Sequence, residues 1–393
     1  MINNFTFHLR TKLVFGEDSL SSLSKLLKEN NAKKILIVYG QSFAKKSGLL
    51  DEVIKIIEDD NLEYVLLGGI QSNPDISFVR KGVEISKKAD VNFILAIGGG
   101  SVIDVGKGIA AGFYINDDPL KLYKREVKPA KVLPFGVILT VSAAGSEMSS
   151  SSVISDYKND FKQGFNSELN RPIFAICNPV YTYSLSKNTT TAGIVDILMH
   201  TVERFFSPSG ENELADYFAI GLLKSVIKSA NDYIDGINNE EVRKELMLAS
   251  SFSHNGITSI GKRYYMPMHQ LEHAISALNP SVAHGHGLAI VFKPWALLSL
   301  ESNFDKFYKF ALEVMEVDKE NLSKKEIALK GIEQFNDLFL RLGVKIRLRD
   351  YGFKEEDIVT LTNIATENAT KQVKQANVEL TYCDVQKIYE DAF

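Results

Sequence analysis

Cysteine is nearly absent from this chain. Cys177 and Cys383 are its two, too few for a disulfide framework and without the CxxC spacing of a structural metal site. No excess of positive charge is present either, since 45 Lys and Arg stand against 49 Asp and Glu for a net charge of -4. That balance argues against nucleic acid as the main partner. No apolar run approaches the roughly 20 residues needed to cross a membrane, and MINNFTFHLRTKLVFG does not have the basic-then-apolar layout of a signal peptide. Histidine is missing from almost everywhere but the middle: six of the seven (His200, His254, His269, His273, His284 and His286) fall between 200 and 286, and only His8 lies outside. What remains is ordinary globular material, 45% hydrophobic and 24% charged, which excludes disorder. At 393 residues the chain exceeds one ordinary core and predicts two domains. The expected setting is soluble, reducing and cytoplasmic.

The first half alternates strand and helix patterns. KKILIVYG (33–40), EYVLLGGI (63–70) and VNFILAIGGG (91–100) read as strands. Helical spacing follows each of them, at 47–60, 75–90 and 101–114. FGVILTVSA (135–143) and PIFAICNP (172–179) look like further strands of the same layer. Strands that are apolar along their whole length, alternating with helices, predict a parallel sheet covered on both faces. Beyond NPVYTYSLSKN (178–188) the strand signals fade and helix periods take over. The expected division is an α/β domain over 1–186 and an all-α domain over 187–393.

AIGGGSVIDVGKG closes an apolar strand with three glycines and opens a helix behind Ser101. Such a turn lets backbone approach a ligand, and a helix start offers N–H groups and partial positive charge to a phosphate. Gly98, Gly99, Gly100 and Ser101 are therefore candidates for holding a pyrophosphate. The stretch is neither GxGxxG nor GxxxxGK[ST], so the usual fingerprints do not apply, and a plain tight turn would also need glycine.

GIVDILMHTVERF (193–205) has the period of a buried helix, yet Asp196 and His200 interrupt its apolar surface four residues apart. Side chains at that spacing share one face. MHQLEHAISAL repeats the device with His269 and His273, and SVAHGHGLAI adds His284 and His286. Imidazole nitrogen and carboxylate oxygen suit a divalent ion such as Zn²⁺ or Fe²⁺. One Asp and three His would complete a four-ligand set, and five histidines compete for the places. The absence of HExxH excludes a zincin-type protease.

Taken together, these segments resemble the iron-containing (group III) alcohol dehydrogenase family, in particular its NAD(P)H-dependent butanol dehydrogenase and aldehyde reductase branch. GGGSVIDVGK (98–107) is similar to the family's GGGSxxDxxK, LTVSAAGSEMSSSSVIS (139–155) to its TxxxxGSE segment, and CNPVYTYSL (177–185) to its DPxxTxxL junction. GIVDILMHTVE (193–203) and MHQLEHAISALNPSVAHGHGLAI (268–290) resemble its two metal-binding segments.

The resemblance implies a dehydroquinate synthase-like architecture: a Rossmann-like nucleotide-binding α/β domain, then a helical domain, with the active site in the cleft between. It also implies that Asp196, His200, His269 and His284 are the metal ligands, that His273 relays a proton or orients the substrate, and that His286 lies nearby without an assigned role. For the dinucleotide it implies the glycine turn together with Asn73, Thr140 and Lys162. Gly40 and Ser42 stand where a carboxylate would repel a 2′-phosphate, with Lys45 and Lys46 near, which favours NADP(H) over NAD(H). Fe²⁺ is the expected metal, with Zn²⁺ as the alternative. The implied activity is reversible hydride transfer between primary alcohols such as butanol and their aldehydes, and the implied assembly is a homodimer. A polyol (glycerol-type) dehydrogenase, a metal-dependent cyclising lyase and a non-catalytic nucleotide-binding protein are the alternatives. Asn178, where the family commonly has Asp, and Val141 and Ser142 in the glycine-rich segment depart from the pattern.

Overall fold

The computed structural model describes residues 2–41, 43–159, 161–207 and 212–393. Two compact units divide the chain, one of His8–Leu185 and one of Met1–Phe7 with Ser186–Phe393.

The His8–Leu185 unit is built on a six-stranded parallel sheet. Its strands are β1 (Lys12–Phe15), β2 (Lys34–Gly40), β3 (Glu63–Ile70), β4 (Phe93–Gly98), β5 (Phe135–Leu139) and β8 (Phe174–Cys177), in the order β1-β8-β5-β4-β2-β3. A separate antiparallel hairpin joins β6 (Ser151–Asp156) to β7 (Phe161–Asn166). All residues of β4, β5 and β8 are buried, which is why these segments read as unbroken apolar runs. The helices Leu49–Asp59, Ile76–Lys88 and Gly100–Gly112 cover the sheet's faces and carry the chain between parallel strands.

Strand order decides where a ligand can sit. From β2 the chain crosses to β3 on one side, then returns to place β4 on the other side of β2. The order therefore reverses between β2 and β4, and ligands of open α/β sheets lie beyond the strand C-termini at such a point. Gly40 ends β2 and Gly98 ends β4, so the two strands flanking the reversal both finish in glycine.

The second unit is helical among its described residues. Its longest helices are Lys187–Phe205 and Glu213–Ile234, followed by Glu240–Ser253, Pro267–Leu278, His284–Ser299 and four more helices of nine to eighteen residues. Phe206, Trp295, Phe307 and Phe310 form an aromatic knot in its core. The segment before His8 clusters with this unit, although the sequence pattern assigned it to the α/β part. Asn3 N–H donates to the Gly261 carbonyl at 3.0 Å, and Ile2 and Phe5 lie against Gly261. No helix of the described residues is long and apolar enough to cross a membrane.

Candidate metal centre and dinucleotide turn

Three helices of the second unit build the candidate metal centre. Ser186 caps Lys187–Phe205 by accepting from Thr189 N–H, and the buried stripe of this helix carries Asp196 and His200. Pro267 starts Pro267–Leu278, which brings His269. His284 is the first residue of His284–Ser299. That last helix approaches the first so closely that a Cβ at Gly285 would lie 2.8 Å from the carbonyl carbon of Ala192. Glycine is required there by proximity, and proximity is what delivers His284.

Asp196, His200 and His269 are buried, and each offers one ligand atom within a set no wider than 4.8 Å. Asp196 Oδ1 has no well-formed hydrogen bond. Around it stand His200 Nδ1 at 2.9 Å, His269 Nε2 at 3.8 Å and His284 Nε2 at 3.9 Å. His200 Nδ1 lies a further 3.2 Å from His269 Nε2. Three atoms rich in lone pairs thus converge on one point, with separations near the ~3.4 Å edge of a tetrahedron whose bonds are ~2.1 Å, and His284 Nε2 stands beside them, 3.9 Å from Asp196 Oδ1. Protons alone satisfy such a set poorly, since His200 Nδ1 faces the Asp196 carboxylate, the Asp196 carbonyl and a second imidazole at once. A divalent cation fits the donor set, and His284 joins it from the more open side.

The electrostatics carry the same strain. Burial, aided by the neighbouring His269, pushes the His200 imidazole down to about 4 despite Asp196. Burial also acts to lower His269, but the Glu203 and Asp196 carboxylates overcome it and raise that ring to about 9. Asp196 is held well below the usual carboxylate range by its histidines, against the effect of burial.

His273 is half-buried, with its ring centroid 6.0 Å from that of His284. His286 points elsewhere: its Nε2 is 3.2 Å from Thr191 Oγ1, which ties the two ligand-bearing helices together. Sequence reasoning missed two buried carboxylates, Glu203 and Glu272. Glu203 meets Nδ1 of His269, and Glu272 meets Nδ1 of His284. The available signal was spacing, for each glutamate sits three residues after a ligand (His200 or His269) on the same helical face.

The candidate dinucleotide residues all lie in the α/β unit. Gly98 ends β4, Gly99 caps the helix that starts at Gly100, and Ser101 sits in its first turn. Thr140 follows β5 and donates its N–H to the Gly98 carbonyl at 3.1 Å. Asn73 and Lys162 meet directly, Nζ donating to Oδ1 at 3.0 Å. Gly40 is at the end of β2, and Ser42 lies outside the described residues.

The Asp and Lys of GGGSVIDVGK have a structural task that the motif alone did not reveal. Lys107 Nζ donates to Ser146 Oγ at 2.7 Å, Ser149 Oγ at 3.1 Å and the Ser151 carbonyl at 2.6 Å. Asp104 accepts from the Ser146 hydroxyl at 2.6 Å and from Val153 N–H at 2.9 Å. Together they clamp the GSE segment onto the helix behind the glycine turn. Asn178 is explained as well: its Oδ1 caps the Pro179–Thr182 turn while its Nδ2 donates to the Glu17 carbonyl at 2.7 Å, a bond aspartate cannot make.

Comparison with known proteins agrees with this layout. Residues 10–179 match the model of the iron-containing alcohol dehydrogenases, and residues 190–393 match that of the Fe-containing alcohol dehydrogenase family C-terminal part. A probable NADH-dependent butanol dehydrogenase of Bacillus subtilis is 37% identical, over 96% of this chain and 97% of its own length. The NADPH-dependent aldehyde reductase YqhD of Escherichia coli is 31% identical over the full length of both. The crystal structure of an NADH-dependent butanol dehydrogenase A from Thermotoga maritima superposes with a TM-score of 0.94 at 31% identity, covering 100% of this chain and 99% of that one. With both halves matched and relatives above 30% identity along the whole length, this chain belongs to the iron-containing alcohol dehydrogenase family.

Proposed function

We propose that the chain is a metal-dependent, NAD(P)H-linked alcohol dehydrogenase and aldehyde reductase, interconverting primary alcohols such as butanol with their aldehydes. The observation that carries this reading is the convergence of Asp196, His200 and His269 on one buried point, with His284 3.9 Å from Asp196 on its more open side, in a family member. Those four residues would hold a divalent ion, Fe²⁺ or alternatively Zn²⁺. When bound, the ion supplies Lewis acidity toward the substrate oxygen and the nicotinamide donates or accepts the hydride.

The chain's own residues do the rest. The N–H groups at Gly99, Gly100 and Ser101 receive the pyrophosphate at the start of a helix. Thr140, Asn73 and Lys162 line the dinucleotide, with the Asn73–Lys162 bond fixing both side chains. His273 passes a proton between the substrate oxygen and solvent. Gly40 with Lys45 and Lys46 beyond it supports NADP(H), NAD(H) being the alternative, since no carboxylate follows the strand to repel a 2′-phosphate. Relatives bearing both preferences are named among the matches.

A homodimer in the cytoplasm completes the proposal. Leu214, Tyr217 and Phe218 lie exposed on one face of the Glu213–Ile234 helix, which supports self-association. Neither Cys177 nor Cys383 forms a disulfide, as suits a reducing compartment. Replacing His269 with Ala and measuring metal content together with NADPH-dependent butanal reduction tests the reading. Both should be lost, and retention of both would refute the ligand assignment.

A further inference from the structure

We propose that Glu203 and Glu272 are positioning residues of the metal centre, holding His269 and His284 by Nδ1 so that each Nε2 faces the ion. The inference rests on the metal reading above and adds an outer layer to it. Glu203 is 2% exposed and Glu272 is fully buried. Such burial is strongly unfavourable for a carboxylate unless something compensates.

Each glutamate serves a ligand on the next helix. Glu203, on Lys187–Phe205, pairs with His269 at the start of Pro267–Leu278. Its other oxygen accepts the N–H groups of Met268 at 2.6 Å and His269 at 3.3 Å, so both the ring and the backbone of the ligand are fixed. Glu272, on Pro267–Leu278, pairs with His284 at the start of His284–Ser299, and it accepts from the Ser276 hydroxyl. A Cβ at Gly287 would stand 2.7 Å from Glu272 Cγ, so a side chain at that position would displace this carboxylate. The three helices are stitched in sequence order by carboxylate–imidazole contacts, one per joint.

Two consequences follow from the chemistry. A carboxylate on Nδ1 selects the tautomer that leaves Nε2 with its lone pair, and it strengthens that nitrogen as a donor. With Asp196, the two glutamates also place three negative charges around a site for a doubly charged ion. A purely structural contact would not need charge, because glutamine has the same shape and costs less to bury.

Glu203→Gln and Glu272→Gln therefore separate the two roles. The measurements are Zn²⁺ affinity by chelator competition, the visible spectrum of the Co²⁺-substituted protein, and the melting temperature of the metal-free chain. Each substitution should weaken Zn²⁺ binding by about 10- to 100-fold and shift the Co²⁺ bands, while the metal-free melting temperature holds or rises. Zn²⁺ affinity within twofold of wild type with an unchanged Co²⁺ spectrum would overturn the proposal. So would destabilisation of the metal-free chain with no loss of affinity. Ser276→Ala tests the same arm where Glu272→Gln does not fold: it keeps the charge, removes one hydrogen bond and should give a smaller affinity loss, and no loss would overturn the Glu272 role. Wild type that binds no Zn²⁺ would refute the metal reading itself. Wild type that binds, with variants binding equally well, would refute only the outer layer.

Discussion

Gly285→Ala would place one methyl group between the two helices that carry Asp196, His200 and His284. The new Cβ would lie 2.8 Å from the carbonyl carbon of Ala192, 3.1 Å from its Cα and nearer still to its carbonyl oxygen. All three atoms are backbone, so no side chain can rotate away. Ordinary carbon contacts are about 3.5–4.0 Å, and the helices must separate by about 1 Å. That movement carries His284, the adjacent residue, and it strains the 3.2 Å contact between His286 and Thr191. Metal–ligand bonds tolerate only about 0.2 Å, so the His284 bond should be lost. The gain in helix propensity, about 1 kcal/mol, is smaller than the overpacking cost of about 1–3 kcal/mol. Chelator competition should therefore show at least a tenfold loss of Zn²⁺ affinity with a lowered melting temperature. Gly221→Ala is the control, because its Cβ would meet nothing within 4 Å on the exposed side of Glu213–Ile234. It should leave Zn²⁺ affinity unchanged, which is the property compared between the two variants. Wild-type metal affinity in Gly285→Ala would refute the argument that close approach of these helices delivers His284.

Other substitutions probe separate parts of the account. Burial lowers Lys107 from 10.5 to about 8 in the folded chain; the unfolded chain then binds more protons between those values, so stability rises with pH across that window. The advantage of wild type over Lys107→Met should accordingly grow by about 3 kcal/mol from pH 8 to 10.5 in urea titrations, and a difference independent of pH would refute the assignment. Gln41→Asp puts a carboxylate after β2 and should lower the NADPH-to-NADH ratio of kcat/KM at least about tenfold, whereas an unchanged ratio would remove this loop from cofactor selection. His273→Ala should keep its metal and lose about 100-fold in kcat; loss of metal would make His273 a ligand rather than a proton carrier.

How much of this was legible in the sequence depended on burial. KILIVYG, FILAIG and FGVIL announced themselves because strands covered on both faces are apolar throughout. KLVF went unread as β1 because an edge strand of four residues carries little periodicity. The β6–β7 hairpin went unread because SSVISD and FKQGFN are rich in serine, glycine and other turn formers. Asp196 and His200 stood out as polar interruptions of an apolar helix face, whereas His269 and His284 were picked from the five clustered histidines by the family resemblance. Glu203 and Glu272 did not, since a glutamate on a helix ordinarily reads as part of the solvated surface. Only the packing shows that these two are buried and aimed at imidazoles.

The most direct measurement is an anaerobic titration of metal-free protein with Fe²⁺, following NADPH-dependent butanal reduction at each addition. Activity should be absent without metal, rise linearly and saturate at one ion per chain. Full turnover before any metal is added would contradict the central claim that Asp196, His200, His269 and His284 hold the ion on which the reaction depends.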